Sequence, residues 1–137
     1  MANSALIEIF LNHCAVERGL SKNTIAAYRR DLNKFNEFII GKNQDVTTAQ
    51  SADITEFLQG LRISGLGESS IARHVVAIRS LFAFLAKDQG ITNIAKEVNP
   101  PRIPIRLPKA LSITEVESLI GSCSEDLSGL RDRALLE

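Results

Sequence analysis

Two segments of this chain carry the residue types that bind nucleic-acid phosphates. Each begins with short hydroxyl or amide side chains and continues with arginines. Arginine and lysine neutralise phosphate charge, and small donors beside a helix N-terminus bind phosphate oxygens. The two segments therefore predict a surface for a polyanion such as double-stranded DNA. The residues concerned are Ser21, Lys22, Asn23, Thr24, Arg29 and Arg30 in the first segment, and Ser69, Ser70, Arg73 and Arg79 in the second.

Catalytic or metal-binding chemistry has a weaker basis in the sequence. We interpret His13 and His74 as ordinary residues on helix flanks. The chain has no glycine-rich phosphate loop, zinc-type Cys/His pattern or nucleophile elbow. We expect no cofactor, no metal and no catalytic residue. The remaining carboxylates are interpreted as solvated or paired on helix surfaces, namely Glu8, Glu17, Asp31 and Glu37.

The first hundred residues are predicted to form the helices that position the two segments. Apolar residues recur there at three- and four-residue steps, and no segment alternates like a strand. Helices are predicted over residues 4–18 and 21–41, then from a Ser51 cap to before Gly65, and from Glu68 or Ser69 to Gly90. A short, weaker helix is predicted over residues 92–98. Four or five helices with short connections predict a compact all-α bundle.

Each predicted helix has one apolar face that would form the core. The faces are Leu6, Ile9, Phe10 and Cys14 in the first helix; Ile25, Tyr28, Leu32, Phe35 and Ile39 in the second; Ile54, Phe57, Leu58 and Leu61 in the third; and Ile71, Val75, Ile78, Phe82 and Leu85 in the fourth.

The basic residues fall opposite two of these apolar faces. At about 100° per residue, Lys22, Ala26, Arg29, Arg30, Asn33 and Glu37 lie opposite the core of the second helix. In the fourth helix, Ser69, Arg73, Ser80 and Lys87 lie opposite its core, with Arg79 at the edge. Helices with an arginine-bearing face free of bulk fit a DNA major groove, where arginine reads guanine.

A proline-rich stretch separates this bundle from the last residues. Residues 99–111 contain all four prolines of the chain and predict an extended, basic linker with Arg102, Arg106 and Lys109. A capping box, Ser112 to Glu115, then begins a new helix, and another begins near Leu127. The predicted organisation is a helical domain at 1–98, a linker at 99–111 and the start of a second domain at 112–137. The last helical pattern stops without a cap, so we expect the front part of a longer protein.

Composition excludes several classes of protein. The 137 residues are 45% hydrophobic and 23% charged, as in a folded globular protein. No apolar run approaches the roughly 20 residues of a membrane span, and the N-terminus does not resemble a signal peptide. Cys14 and Cys123 lie far apart and are interpreted as reduced thiols. We predict a cytoplasmic protein that does not contact a membrane.

Charge is segregated along the chain although it sums to zero. Sixteen Lys and Arg balance sixteen Asp and Glu. Residues 71–87 and 102–109 contain basic residues and no carboxylate, whereas acidic residues gather in 45–56 and 115–126. A surface polarised in this way can bind a polyanion despite a neutral sum.

Four segments together resemble the tyrosine recombinases, the Xer type in particular. Residues 20–35 resemble the second helix of their core-binding domain, and residues 69–85 are similar to its second DNA-facing helix. Residues 106–112 resemble the interdomain linker, and residues 130–137 the helix before the first catalytic motif. Two departures are Gly67, where Ser is frequent, and Asn93-Ile94-Ala95, where Asn-Pro-Ala is usual.

The resemblance implies a SAM-like core-binding bundle followed by the start of a catalytic domain. In this family, four protomers assemble on two DNA sites, and a tyrosine attacks the DNA through a 3′-phosphotyrosyl intermediate. The catalytic arginine lies in a Gly-Leu-Arg motif that would follow residue 137, so neither Arg131 nor Tyr28 is assigned a catalytic role. Tyr28 belongs instead with the candidate DNA-binding residues, as do Arg106 and Lys109. The expected chain binds DNA and does not cleave it.

Two alternatives remain open at this point. The chain is either a DNA-binding part of a recombinase or a helical protein–protein module of a recombinase assembly that does not itself bind DNA. Within the first, a role in chromosome dimer resolution and a role in phage or transposon integration are not distinguished by the sequence.

Overall fold

The computed structural model describes residues 2–105, 107 and 110–137, and over these residues it contains six α-helices and no strand. The all-α prediction is confirmed. The chain divides into two units, residues 1–103 and residues 104–137. The first unit holds α1 (Ala2–Val16), α2 (Lys22–Gly41), α3 (Ser51–Ile63) and α4 (Glu68–Gln89), and the second holds α5 (Ile113–Gly121) and α6 (Leu127–Leu136).

The two helices that carry the basic segments begin and end where local chemistry places them. Ser21 caps α2, since its hydroxyl accepts the Thr24 N–H at 3.2 Å. Gly90 ends α4 with φ of 66°, the left-handed conformation that glycine adopts without steric cost. The predicted apolar faces are buried in both helices, apart from Ile25, which is half-buried against the core.

The core of the first unit is built around aromatic side chains from three helices. Phe35 of α2 meets Phe57 of α3 and Phe82 of α4 edge to face, with ring centroids 5.3 and 6.3 Å apart. This geometry suits the quadrupoles of the rings and adds to their burial. The core therefore fixes α2 and α4 in direct contact with each other.

The predicted face of α1 is partly wrong. Ile9 is 51% exposed, and the buried residues are Asn3, Ile7, Phe10, Leu11 and Cys14. The predicted face and the buried face both have helical spacing. Only the buried face also carries the polar Asn3. Its side-chain oxygen accepts the Val46 N–H at 3.2 Å in the interior, which fixes the rotation of the helix.

The predicted helix over residues 92–98 is also wrong. This segment forms turns, in which Asn93 accepts the Ala95 N–H through its side chain at 3.2 Å. Such a local bond offers the backbone an alternative to a helix. Its apolar residues still pack against the core, and the Ser51 hydroxyl donates to the Ile94 carbonyl at 2.7 Å. Ser51 is thus the first residue of α3 rather than its cap, which is Gln50.

The second unit has local order and little buried apolar surface. The predicted capping box is present at the start of α5, where Ser112 and Glu115 bond each other reciprocally. Asp126 caps α6 by accepting the Gly129 N–H at 2.7 Å. The apolar side chains of Val116 and Leu119 are exposed.

One helix of the first unit, α4, is long and apolar enough to cross a membrane by length and composition alone. Half of its most apolar window is buried inside the unit. Its apolar face is therefore accounted for by the core.

Candidate nucleic-acid interface

The N-terminus of α2 carries four polar side chains, two of which are engaged locally. Ser21, Lys22 and Asn23 are exposed, and Thr24 is half-buried. The hydroxyls of Ser21 and Thr24 lie 3.0 Å apart, and the Ser21 hydroxyl also caps the helix. Lys22 and Asn23 are thus the side chains of this segment that are free to turn toward a ligand.

Arg29 is held by a carboxylate of the neighbouring helix. Its Nε and Nη2 donate to Oε1 and Oε2 of Glu8 on α1, at 2.9 and 2.8 Å. Hydrogen bonds from Arg29 lower the pKa of the Glu8 carboxyl below its ordinary value. Both side chains are about half exposed, so solvent competes with this pair.

Arg30 is the next residue and differs in its surroundings. It is exposed, and within the described part of the chain no carboxylate pairs with it. An arginine of this kind keeps all of its donors available for a ligand.

Arg73 of α4 is tied to α2 by a bidentate pair with Asp31. Its Nε and Nη2 donate to Oδ2 and Oδ1 at 2.7 and 2.9 Å. The Arg73 side chain is 43% exposed, whereas that of Asp31 is 2% exposed. These hydrogen bonds raise the pKa of Arg73 above its ordinary value. Asp31 is paired, but the prediction that it lies on a helix surface is wrong, because its side chain is buried.

His74 completes this cluster and is not on a helix flank. Its side chain is 1% exposed, with Nδ1 2.7 Å from the Ser70 carbonyl and Nε2 3.4 Å from Asp31 Oδ1. The sequence holds a signal for this burial, since His74 lies three residues after Ile71 and four before Ile78, on the apolar face. The prediction that His74 lies on a helix flank is therefore wrong.

The remaining predicted residues are placed as follows. Tyr28 is buried in the core with 8% exposure, so little of its side chain can meet a ligand. Ser69 is exposed and Ser70 half-buried at the start of α4. Arg79 is exposed and lines a cavity of about 710 Å³ between α1, α4 and residues 93–96. Arg106 and Lys109 lie outside the described residues.

Across the described ranges, no group of three or more His, Cys, Asp or Glu side chains is placed to hold a metal ion. The arrangement in the first unit is instead two packed helices whose outer faces carry Lys22, Arg29, Arg30 and Arg73. Guanidinium and ammonium groups of this kind can bind phosphates and, for arginine, base edges.

A comparison with known families identifies the family of the first unit. The family model for the phage integrase N-terminal SAM-like domain matches residues 7–89. The chain belongs to this family. The match covers all four helices of the first unit, and the SAM-like domain is therefore the fold that carries the two basic helices.

Curated relatives extend the similarity beyond the SAM-like domain. A tyrosine recombinase XerC of Herpetosiphon aurantiacus is 38% identical over 135 residues, covering 96% of this chain and 44% of that protein. A tyrosine recombinase XerD of Listeria monocytogenes is 37% identical over 136 residues, with coverages of 96% and 46%. A tyrosine recombinase XerD of Pasteurella multocida is 36% identical over 139 residues, with coverages of 100% and 47%. The chain spans a little under half the length of these relatives.

Proposed function

We propose that the first unit binds double-stranded DNA through the outer faces of α2 and α4. The observation that carries the proposal is a pair of accessible arginines on two packed helices: Arg30 of α2 is exposed, and Arg73 of α4 is 43% exposed while it is bonded to Asp31 of α2. Arg30 has its donors available, and Arg73 leaves part of its guanidinium free. Membership of the SAM-like integrase family supports this reading, because the named relatives are recombinases.

The proposed setting is a site-specific tyrosine recombinase of the Xer type. A DNA duplex is its substrate, and further protomers assembled on the DNA are its partners. Residues 99–111 serve as a basic linker with Arg102, Arg106 and Lys109 along the DNA backbone, and residues 112–137 belong to the catalytic domain. The cell compartment is the cytoplasm. Chromosome dimer resolution and phage or transposon integration both remain compatible with this proposal.

Fluorescence anisotropy with a labelled duplex tests DNA binding directly. The logarithm of the affinity should fall with the logarithm of salt concentration, by a slope of about 0.9 per neutralised phosphate. Arg30→Ala should weaken binding by about 1–3 kcal/mol if the side chain reads a base edge. Undetectable binding at low ionic strength would rule the proposal out.

A matched control is available on α3. Arg62 is about half exposed, like the arginines of the proposed surface, and lies only 3.6 Å from Glu68. Arg62→Ala removes one positive charge from a helix outside that surface. Equal losses from Arg30→Ala and Arg62→Ala would show that net charge, and not this surface, governs binding.

A second candidate function rests on a different face. Ile9 and Val16 of α1 are 51% and 83% exposed and lie on one side of the helix. This is the surface that would serve a protein–protein module without DNA binding. Size-exclusion chromatography with light scattering, with and without duplex, distinguishes this function from DNA binding. A protein–protein module would self-associate without DNA, and the Ile9→Ser variant would no longer do so.

A further inference from the structure

The Asp31–Arg73 pair leaves a defined part of the guanidinium free. Asp31 occupies the edge formed by Nε and Nη2. The opposite end of the group, with Nη1 and the outer hydrogen of Nη2, has two parallel N–H bonds left for a ligand. Since one edge is fixed by two short hydrogen bonds, the direction of the free edge is fixed as well.

The side of Asp31 away from solvent faces His74. His74 Nδ1 lies 2.7 Å from the Ser70 carbonyl, an acceptor, so this nitrogen carries a hydrogen. His74 Nε2 lies 3.4 Å from Asp31 Oδ1 and has no hydrogen-bond partner in the described structure. The uncharged ring of Phe57 faces His74 from α3 at 6.0 Å.

A buried carboxylate is an unusual group to find next to a DNA-binding surface. Its negative charge repels phosphates, and it cancels the charge of Arg73. If the residue at position 31 served only to pack the core, it could be apolar, like the neighbouring buried Leu32. The carboxylate is accounted for if its role is to set the direction of the arginine.

We propose that Asp31 is a positioning residue, which holds Arg73 so that its free edge is presented to a phosphate or base edge of DNA. The inference rests on the proposed function, since it gives a role in DNA binding to a residue that the DNA does not reach. Arg73 supplies the contact, and Asp31 supplies its geometry. A preorganised donor pair loses less entropy on binding than a freely rotating side chain.

The sign of one substitution tests the inference. Asp31→Asn removes a negative charge, so electrostatics alone predicts tighter DNA binding. A positioning role predicts the opposite, because the amide no longer accepts both Arg73 donors. We expect binding about 5- to 100-fold weaker, the range for loss of one well-made arginine contact. Glu8→Gln is the matched control; it also removes a carboxylate paired with an arginine, but an exposed one, and should leave binding unchanged or tighter.

Coupling between the two residues provides a second readout, measured on variants that circular dichroism shows to be folded. Arg73→Ala should weaken binding in the wild-type background and add little in the Asp31→Asn background. Arg73→Lys keeps the charge without the two-edged geometry and should bind nearly as poorly as Arg73→Ala. It also serves as the test if Asp31→Asn does not fold, which circular dichroism reports.

The possible outcomes separate the two proposals. If the wild-type chain binds no DNA, the proposed function fails. If the wild-type chain binds DNA and Asp31→Asn binds equally or more tightly, the positioning role is overturned while DNA binding stands. Wild-type affinity in Arg73→Lys would overturn the positioning role in the same way.

Discussion

The α1–α2 contact and the α2–α4 contact use the same pair of hydrogen bonds in two different environments. Arg29 and Arg73 each donate through Nε and Nη2 to both oxygens of one carboxylate. The carboxylate of Glu8 is 50% exposed, and that of Asp31 is 2% exposed. The arginines themselves are almost equally exposed, at 44% and 43%.

This difference shows that the contribution of an ion pair to stability depends on how deeply its more buried member lies. Water can replace either partner at Glu8, so the pair contributes little to stability. The Asp31 side chain is only 2% exposed, so water cannot replace Arg73 as its partner. Replacing Arg73 should therefore lower the free energy of unfolding far more than replacing one residue of the Glu8–Arg29 pair.

The largest effect on the free energy of unfolding is expected for the Arg73→Met substitution. The methionine keeps much of the side-chain volume but leaves the buried Asp31 carboxylate without its arginine. Breaking a buried pair from one side costs roughly 3–5 kcal/mol in the free energy of unfolding. Urea denaturation followed by circular dichroism measures it. A loss under about 1 kcal/mol would contradict the expectation that the buried Asp31 depends on Arg73.

The corresponding change in the exposed pair should be small. Glu8→Ala leaves Arg29 in solvent, and we expect a loss of about 0.2–1 kcal/mol, as for exposed pairs in general. The same urea experiment measures it. If Glu8→Ala and Arg73→Met destabilise the protein equally, burial of the carboxylate is not what separates the two contacts.

The smallest effect expected is on the response to acid. Arg29 holds the pKa of Glu8 below its ordinary value, so Glu8 contributes stability above the pKa of the unfolded chain. That contribution is lost as the pH falls from about 5 through the folded pKa. Wild-type protein should therefore lose slightly more stability than Glu8→Gln between pH 6 and pH 3. Parallel thermal melts across this range measure it, and identical pH profiles would contradict the expectation.

The helices and most of the core could be predicted from the sequence, for a physical reason. In α2 and α4, one apolar face repeats at helical spacing over about four turns, and burial of that face decides the rotation of the helix. In α1 two apolar sets compete, and the sequence alone favoured Ile9. The choice depended on Asn3 and its bond to Val46, a contact 43 residues away.

The polar part of the surface was less accessible to sequence analysis. Helix periodicity placed Arg29, Arg30 and Arg73 on outward faces, and they are exposed. It could not show that Arg73 is bonded to Asp31, because the two residues lie 42 positions apart. For the same reason Asp31 and His74 were interpreted as surface residues. Which polar side chains are buried depends on which helices meet.

The Asp31–Arg73 pair also limits how the recognition of DNA could be altered, whether by selection or by protein engineering. A new side chain at position 73 would leave a buried charge behind, and the domain would lose stability before any new sequence preference could be tested. Positions 31 and 73 would have to change together, with an apolar or amide residue at 31. Arg30, which has no such partner in the described structure, can be varied alone. Redesign of this surface should therefore begin at Arg30.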